Sequence, residues 1–130
     1  MAGTTTPRPD LDAHRTVARM DTRVVVKELR NLLGAKLVAY IGGVGETRAV
    51  AGWIDGTRGI KDVTEKRLRT ALHVALLLAN QDSPRVAQAW FQGLNPQLRD
   101  RAPASALRDE DIDVAGPEVI EAARAFVVGG

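Results

Sequence analysis

Residues 87–108 read AQAWFQGLNPQLRDRAPASALR, and their pattern of breaks decides the fold class. A helical run that carries the adjacent aromatics Trp90 and Phe91 is expected to end at Gly93. The Asn95-Pro96 pair predicts a turn, which a short amphipathic piece follows. Pro103 then stops that piece and starts a new helix. This punctuation predicts short helices joined by tight turns.

The rest of the chain shows the same helical periodicity. Hydrophobic residues make up 45% of the sequence but aromatics only 4%, which favours packed helices over a sheet sandwich. Apolar spacing predicts helices over residues 15–33, 35–41, 46–55, 64–80, 84–92 and 117–127. Three consecutive valines at 24–26 leave open a break in the first helix, and residues 109–116 predict an acidic loop. The predicted fold class is all-α, a small helical bundle.

Three segments are expected within the bundle. Residues 1–14 hold two prolines and three threonines without apolar periodicity, which is typical of a disordered leader. Residues 15–80 are expected to form a helix-turn-helix module, and residues 81–130 a helical partner-binding domain. A chain of 130 residues makes one domain, or two very small ones that share a core.

Composition narrows the function classes. The chain has no cysteine, and only His14 and His73 can supply imidazole ligands, so neither a metal nor a cofactor is expected. Residues 42–46 (GGVGE) resemble a glycine-rich anion loop but lack the Gly-Lys-Ser/Thr ending of a nucleotide-binding loop. The sequence shows no catalytic constellation, so an enzyme is not expected.

Hydropathy and charge point to location and partners. No apolar run reaches the roughly 18 residues that a membrane span needs, so we expect a cytoplasmic protein without a membrane partner. Residues 1–70 hold 13 Lys and Arg against 8 Asp and Glu, whereas residues 71–130 hold 5 against 8. The basic half suits nucleic acid and the acidic half suits a different partner, although such charge is also found on ordinary surfaces.

Residues 37–56 have the pattern of a helix-turn-helix. Ala39 offers the small residue needed at a close helix crossing, and Gly43 offers the positive φ of the turn. The second helix is expected to bury Val50, Trp53 and Ile54. A tight corner between two helices of a plain bundle would show the same spacing. Gly52, inside the second helix, is expected to weaken it by up to about 1 kcal/mol relative to alanine.

DNA-binding residues follow from the opposite face of that second helix. Thr47, Arg48 and Ala51 are expected to face outward, with Arg48 as the best candidate for a base or phosphate contact. Arg58 and Lys61, in the loop that follows, are placed to meet backbone phosphates.

Two motifs resemble one family, the Xre–MbcA–ParS-like antitoxins of bacterial toxin–antitoxin operons. The first is W-F-x-G-x-N-P-x-L followed by P-x-x-A-L-R, within residues 90–108. The second is LVAYIGGV and TRAVAGWIDG ahead of TEKRLRTALHVALLL, which resembles the Xre-type module. The resemblance covers roughly residues 29–130. It implies an antitoxin that binds a cognate toxin and also operator DNA, as a homodimer or larger assembly.

The resemblance also implies toxin-binding residues. In the best-described branch the toxin carries an RES domain and destroys NAD, and the antitoxin's C-terminal tail plugs the entrance of its active site. The matching tail here is Phe126, Val127, Val128, Gly129 and Gly130, with Trp90 in the same domain. From the residues alone, core packing is the commoner role for Trp90 and Phe91, and Phe126 is expected on the inner face of the last helix. Residues 127–130 also have the composition of a frayed terminus.

The function that follows is an antitoxin that neutralises its toxin by direct binding and autoregulates its operon. One alternative is a stand-alone, or prophage-borne, helix-turn-helix transcription regulator with no toxin partner. Another is a protein-binding adaptor whose helix-turn-helix is only structural.

Overall fold

Eight α-helices joined by short turns form most of the computed structural model, which describes residues 9–81 and 83–129. The all-α prediction is therefore confirmed. The helices are α1 (Pro9–Arg19), α2 (Thr22–Leu33), α3 (Ala35–Gly42), α4 (Thr47–Asp55), α5 (Asp62–Gln81), α6 (Pro84–Gln92), α7 (Pro103–Asp109) and α8 (Ile112–Gly129). A short 3₁₀ helix, Pro96–Leu98, lies between α6 and α7.

The long helix α5 is the centre of the bundle, because α1, α2, α3, α6 and α8 all pack against it. Residues 71–75 and 77–78 of α5 are buried, so the C-terminal half of this helix is enclosed by its neighbours, whereas its first turns carry charged side chains. A single cluster of buried apolar side chains includes residues from both 15–80 and 81–130. The two predicted segments therefore share one core.

The N-terminal part of the fold differs from the prediction. Helix α1 begins at Pro9, so residues 9–14 are helical instead of a disordered leader, and residues 1–8 lie outside the described residues. Ala13 and Val17, one helical turn apart, are buried. The prolines do not exclude a helix here, because proline is well tolerated in the first turn of a helix and Pro9 is the first residue of α1.

The break in the first predicted helix falls at residues 20–21 and not within the three valines. Val25 and Val26 are completely buried, because they lie on the inner face of α2, while Val24 is partly exposed. Consecutive valines are compatible with a helix when tertiary packing compensates their modest propensity.

A polar network joins α5 to the junction of α1 and α2. The Arg69 guanidinium donates to Glu65 Oε2 at 2.9 Å, to the Val17 carbonyl at 2.7 Å and to Thr22 Oγ1 at 3.1 Å. Thr22 Oγ1 in turn donates to Glu65 Oε2 at 2.7 Å. The Thr22 hydrogen bond, and then that from Arg69, hold the pKa of Glu65 below its ordinary value of 4.5.

Acid should weaken the protein through Glu65. A depressed carboxyl pKa stabilises the folded state fully above pH 4.5, and this stabilisation is lost as the pH falls through the folded-state value. We expect Glu65→Gln to lower the free energy of unfolding at pH 7, with a smaller difference from wild type below pH 4.5. Urea denaturation at pH 7, 4 and 3 checks this, and a difference that is constant with pH would contradict it.

The segment after α6 is organised by Asn95. Its Oδ1 accepts a hydrogen bond from the Gln97 N–H at 2.8 Å, and its N–H donates to the Arg101 carbonyl at 3.1 Å. The loop so formed carries Leu98 into the core, where the side chain is 1% exposed. Asn95 thus caps the 3₁₀ helix and Pro96 is its first residue, within the turn that the sequence predicts.

The predicted acidic loop is largely wrong. Helix α8 begins at Ile112, so most of residues 109–116 is helical and Pro117 lies inside the helix. Asp111 Oδ1 accepts a hydrogen bond from the Asp113 N–H at 3.0 Å, and Ile112 is buried. Carboxylates favour the first turn of a helix, so an acidic run can mark a helix start as well as a loop.

Candidate nucleic-acid interface and partner surface

Helices α3 and α4 come into close contact at Gly42. A Cβ atom at Gly42 would lie 2.9 Å from Cη2 of Trp53, so the backbone of α3 makes room for this indole. Gly43 then ends α3 with a φ of 83°, as the predicted turn requires. The sequence predicts a close crossing at Ala39, which is buried, and Gly42 is a further point of close contact between the two helices.

The loop after α4 folds back over Gly52. A Cβ atom at Gly52 would lie 2.7 Å from the Arg58 Cβ, and the Arg58 N–H donates to the Gly52 carbonyl at 3.1 Å. Gly52 therefore allows Arg58 to return across the end of the helix. Gly52 was expected only to weaken α4, but the absence of its side chain also makes this close return of the loop possible.

Gly52→Ala should destabilise the protein although alanine has the higher helix propensity. Propensity favours alanine by about 1 kcal/mol, but the contact with Arg58 Cβ forces a backbone shift of the kind that costs about 1–3 kcal/mol. Thermal unfolding followed by circular dichroism measures the sign. Gly45→Ala is the matched control, because a Cβ there meets nothing within 4 Å. A higher melting temperature for Gly52→Ala would contradict the close return.

The two faces of α4 divide as the sequence predicts. Val50 and Trp53 are buried and Ile54 is partly buried. The three residues expected to face outward are all exposed: Thr47, Arg48 and Ala51. The Arg48 side chain is 85% exposed, and its one ion pair, to Glu46 at 3.5 Å, is a loose surface contact. Arg48 is therefore available to a partner.

A cationic depression lies beside the α3–α4 turn. Its volume is about 280 Å³, and its basic residues are Arg58, Lys61 and Arg67. No carboxylate is among the described residues that line it. The structure thus brings together the predicted pair Arg58 and Lys61 and adds Arg67, which was not predicted to be a site residue. No signal in the sequence marks Arg67, because its position beside the turn depends on how α5 packs against α3.

A second depression, of about 500 Å³, lies at the front of α4, with Lys36, Tyr40, Thr47 and Arg108 among its lining residues. The Arg108 guanidinium lies 4.6 Å from the centre of the Tyr40 ring, and its Nη1 donates to the Tyr40 carbonyl at 3.0 Å. Val44 lines both depressions. Basic side chains are therefore found near the start of α4, at Lys36 and Arg108, and after its end, at Arg58 and Lys61.

The predicted partner residues meet at the C-terminal end of α8. The Trp90 and Phe126 rings lie 6.4 Å apart, and Phe126 is 43% exposed. Phe126 thus does not lie on the inner face of α8, where it was expected. Val128 is 88% exposed, while Val127 packs partly against the core. We call Trp90, Phe126 and Val128 the C-terminal apolar surface.

The predicted tail is not a separate extended segment. Residues 126–129, including Gly129, belong to the last turns of α8, and Gly130 lies outside the described residues. A tail that plugs a toxin would have to unwind this turn, or the helix end would have to enter the cleft as it stands.

Comparison with known proteins identifies no relative: no protein-family model, curated protein or solved structure matches the chain. Within residues 9–81 and 83–129, no helix combines the length and the apolar character needed to cross a membrane.

Proposed function

We propose that the protein is the antitoxin of a bacterial type II toxin–antitoxin pair, which binds operator DNA through α3 and α4 and a toxin through the C-terminal apolar surface. The observation that carries the proposal is the arrangement of α4. Trp53 and Val50 fix one face in the core and the opposite face is exposed, while Arg58 and Lys61, in the loop after the helix, line a basic depression together with Arg67. A recognition helix needs this combination of a fixed orientation and a free outer face.

The arginine of that face supplies the base-reading chemistry. Arg48 is long enough to reach base edges, and a guanidinium bonds two guanine acceptors at once in the major groove. Its surface contact with Glu46 is weak and can be exchanged for a base. A homodimer would place two copies of α4 in successive major grooves, about 34 Å apart.

The toxin-binding arm rests on the C-terminal apolar surface. Phe126, whose ring lies beside that of Trp90, is an exposed aromatic of the kind that is enriched in interface centres, and the exposed Val128, two residues on, points to another side of the same helix end. A toxin that encloses the end of α8 would bury both side chains. The two motifs that resemble the Xre–MbcA–ParS-like antitoxins include α4 and Trp90, and so coincide with the two proposed surfaces. An RES-domain, NAD-degrading toxin is the partner that the resemblance favours.

Arg48→Ala should weaken binding to the operator by more than about tenfold, because one bidentate base contact is worth about 1–3 kcal/mol. A gel-shift titration with duplex DNA from upstream of the protein's own gene measures this. Arg85→Ala is the control, since Arg85 is an exposed arginine on α6, away from α4. Equal affinity of Arg48→Ala and wild type would remove α4 from the interface.

The helical end of α8 favours a second candidate function, a stand-alone or prophage-borne transcription regulator. A regulator without a toxin needs no extended tail, and α8 continues to Gly129. Affinity purification of the tagged full chain from its native host separates the two functions. A single co-purifying protein encoded beside it supports the antitoxin, whereas recovery of DNA alone supports the regulator.

A further inference from the structure

We infer that Arg58, Lys61 and Arg67 form a phosphate-binding site at the Gly42-Gly43 turn, and that its ligand is a backbone phosphate of duplex DNA. The DNA part of this inference rests on the proposed function, whereas the phosphate chemistry is carried by the site itself. The site would contact DNA independently of its sequence, whereas Arg48 reads bases.

Arg67 is the central observation. Its Nε is buried and has no hydrogen-bond acceptor among the described residues. Its Nη1 lies beside the turn, 3.3 Å from where a Cβ of Gly43 would stand. A buried donor without an acceptor is costly, and this Nε is closed to solvent. An anion in the depression, which Arg67 lines, would offset the guanidinium charge and would reach the Nε after a shift of the side chain.

The charges around Arg67 favour an anion. Arg58 and Lys61 line the same depression and are exposed. None of the three forms an ion pair with a carboxylate in residues 9–81 and 83–129. By contrast Lys66, the neighbour of Arg67 on α5, is paired with Asp113 at 3.7 Å. Three basic side chains without a counterion form a concave positive site.

The size and composition of the depression favour phosphate. A volume of about 280 Å³ accommodates a phosphate group with part of its attached chain, and is small for a drug-sized ligand. Gly43 and Gly59 line it as well, and a Cβ at Gly59 would meet nothing within 4 Å, so an oxygen can approach the backbone closely there. Guanidinium forks bond tetrahedral oxyanions through paired N–H donors. The position next to α4 is where backbone phosphates flank a helix in the major groove.

The test compares Arg67→Gln with Lys66→Gln, which removes the same charge one residue away and outside the depression. NMR titration of each full-length protein with inorganic phosphate, against chloride at equal ionic strength, follows the Gly43 and Gly59 amides. We expect saturable shifts in wild type and Lys66→Gln and their loss in Arg67→Gln. No shift in wild type, or equal shifts in both variants, overturns the phosphate site. Circular dichroism confirms that Arg67→Gln is folded, and Lys61→Gln is the second variant if it is not.

The DNA arm measures the salt dependence of binding to the operator and to a scrambled duplex. Arg67→Gln should lower the slope of log K against log salt by about 1, and weaken both duplexes equally. If Arg67→Gln and Lys66→Gln give the same salt slope while the wild type binds phosphate, the site is assigned to free phosphate and the DNA ligand is overturned. Failure of wild type to bind either duplex overturns the proposed function, while the phosphate titration still decides the site.

Discussion

Replacing Trp53 with alanine should lower the free energy of unfolding by about 3–5 kcal/mol, a large part of the total for a domain of this size. The indole is 5% exposed, and it fills the space that Gly42 leaves at the crossing of α3 and α4. Removal of the ring leaves a cavity that glycine cannot close, because it has no side chain to move inward.

The same substitution should abolish DNA binding before it abolishes the fold. Trp53 sets the orientation of α4, so its loss would free the helix that carries Arg48, while the core around α5 persists. Urea denaturation gives the free energy, and gel shift at a temperature where the variant is folded gives the affinity. Trp90→Ala is the matched control, since this other tryptophan is only partly buried. A Trp53→Ala protein that binds the operator like wild type would show that the orientation of α4 is irrelevant to binding.

The sequence predicted helix bounds correctly where glycine or proline marks the start or end of a helix. The bounds of α6 are those predicted, because Ser83 and Pro84 fix its start and Gly93 its end. The sequence also separated the faces of α4, since its buried and exposed residues follow the helical period. The starts of α1 and α8 were not predicted. Proline and acidic residues stand at these two helix starts, and the same residue types are also common in loops and leaders.

The candidate sites depend on contacts that no local pattern reveals. Gly42 and Gly52 look like a helix stop and a helix breaker, yet each is explained by a side chain from elsewhere, Trp53 or Arg58. Arg67 looks like a solvent-facing residue of an amphipathic helix, but tertiary packing places it over the turn. Such contacts depend on how α3, α4, the loop after α4 and α5 pack together, which apolar spacing does not determine.

Val128→Asp should abolish neutralisation of the toxin while leaving the fold unchanged. The side chain is 88% exposed, so the folded monomer tolerates a carboxylate there. In a complex the charge would be buried against apolar groups, and the loss of a central contact of this kind is worth about 2–4 kcal/mol, or roughly 30- to 1,000-fold in affinity. Growth of cells that co-express the toxin measures the rescue.

Val114→Asp is the control for this experiment, because Val114 is also an exposed valine on α8. It lies fourteen residues earlier, about 21 Å along the helix, outside the C-terminal apolar surface. We expect Val114→Asp to rescue growth fully, and both variants to melt like wild type. Deletion of residues 127–130 adds the complementary test, although it also removes the packing of Val127. Full rescue by Val128→Asp and by the deletion would move the toxin interface away from the end of α8, whereas failure of both, with Val114→Asp still active, would place the end of α8 against the toxin.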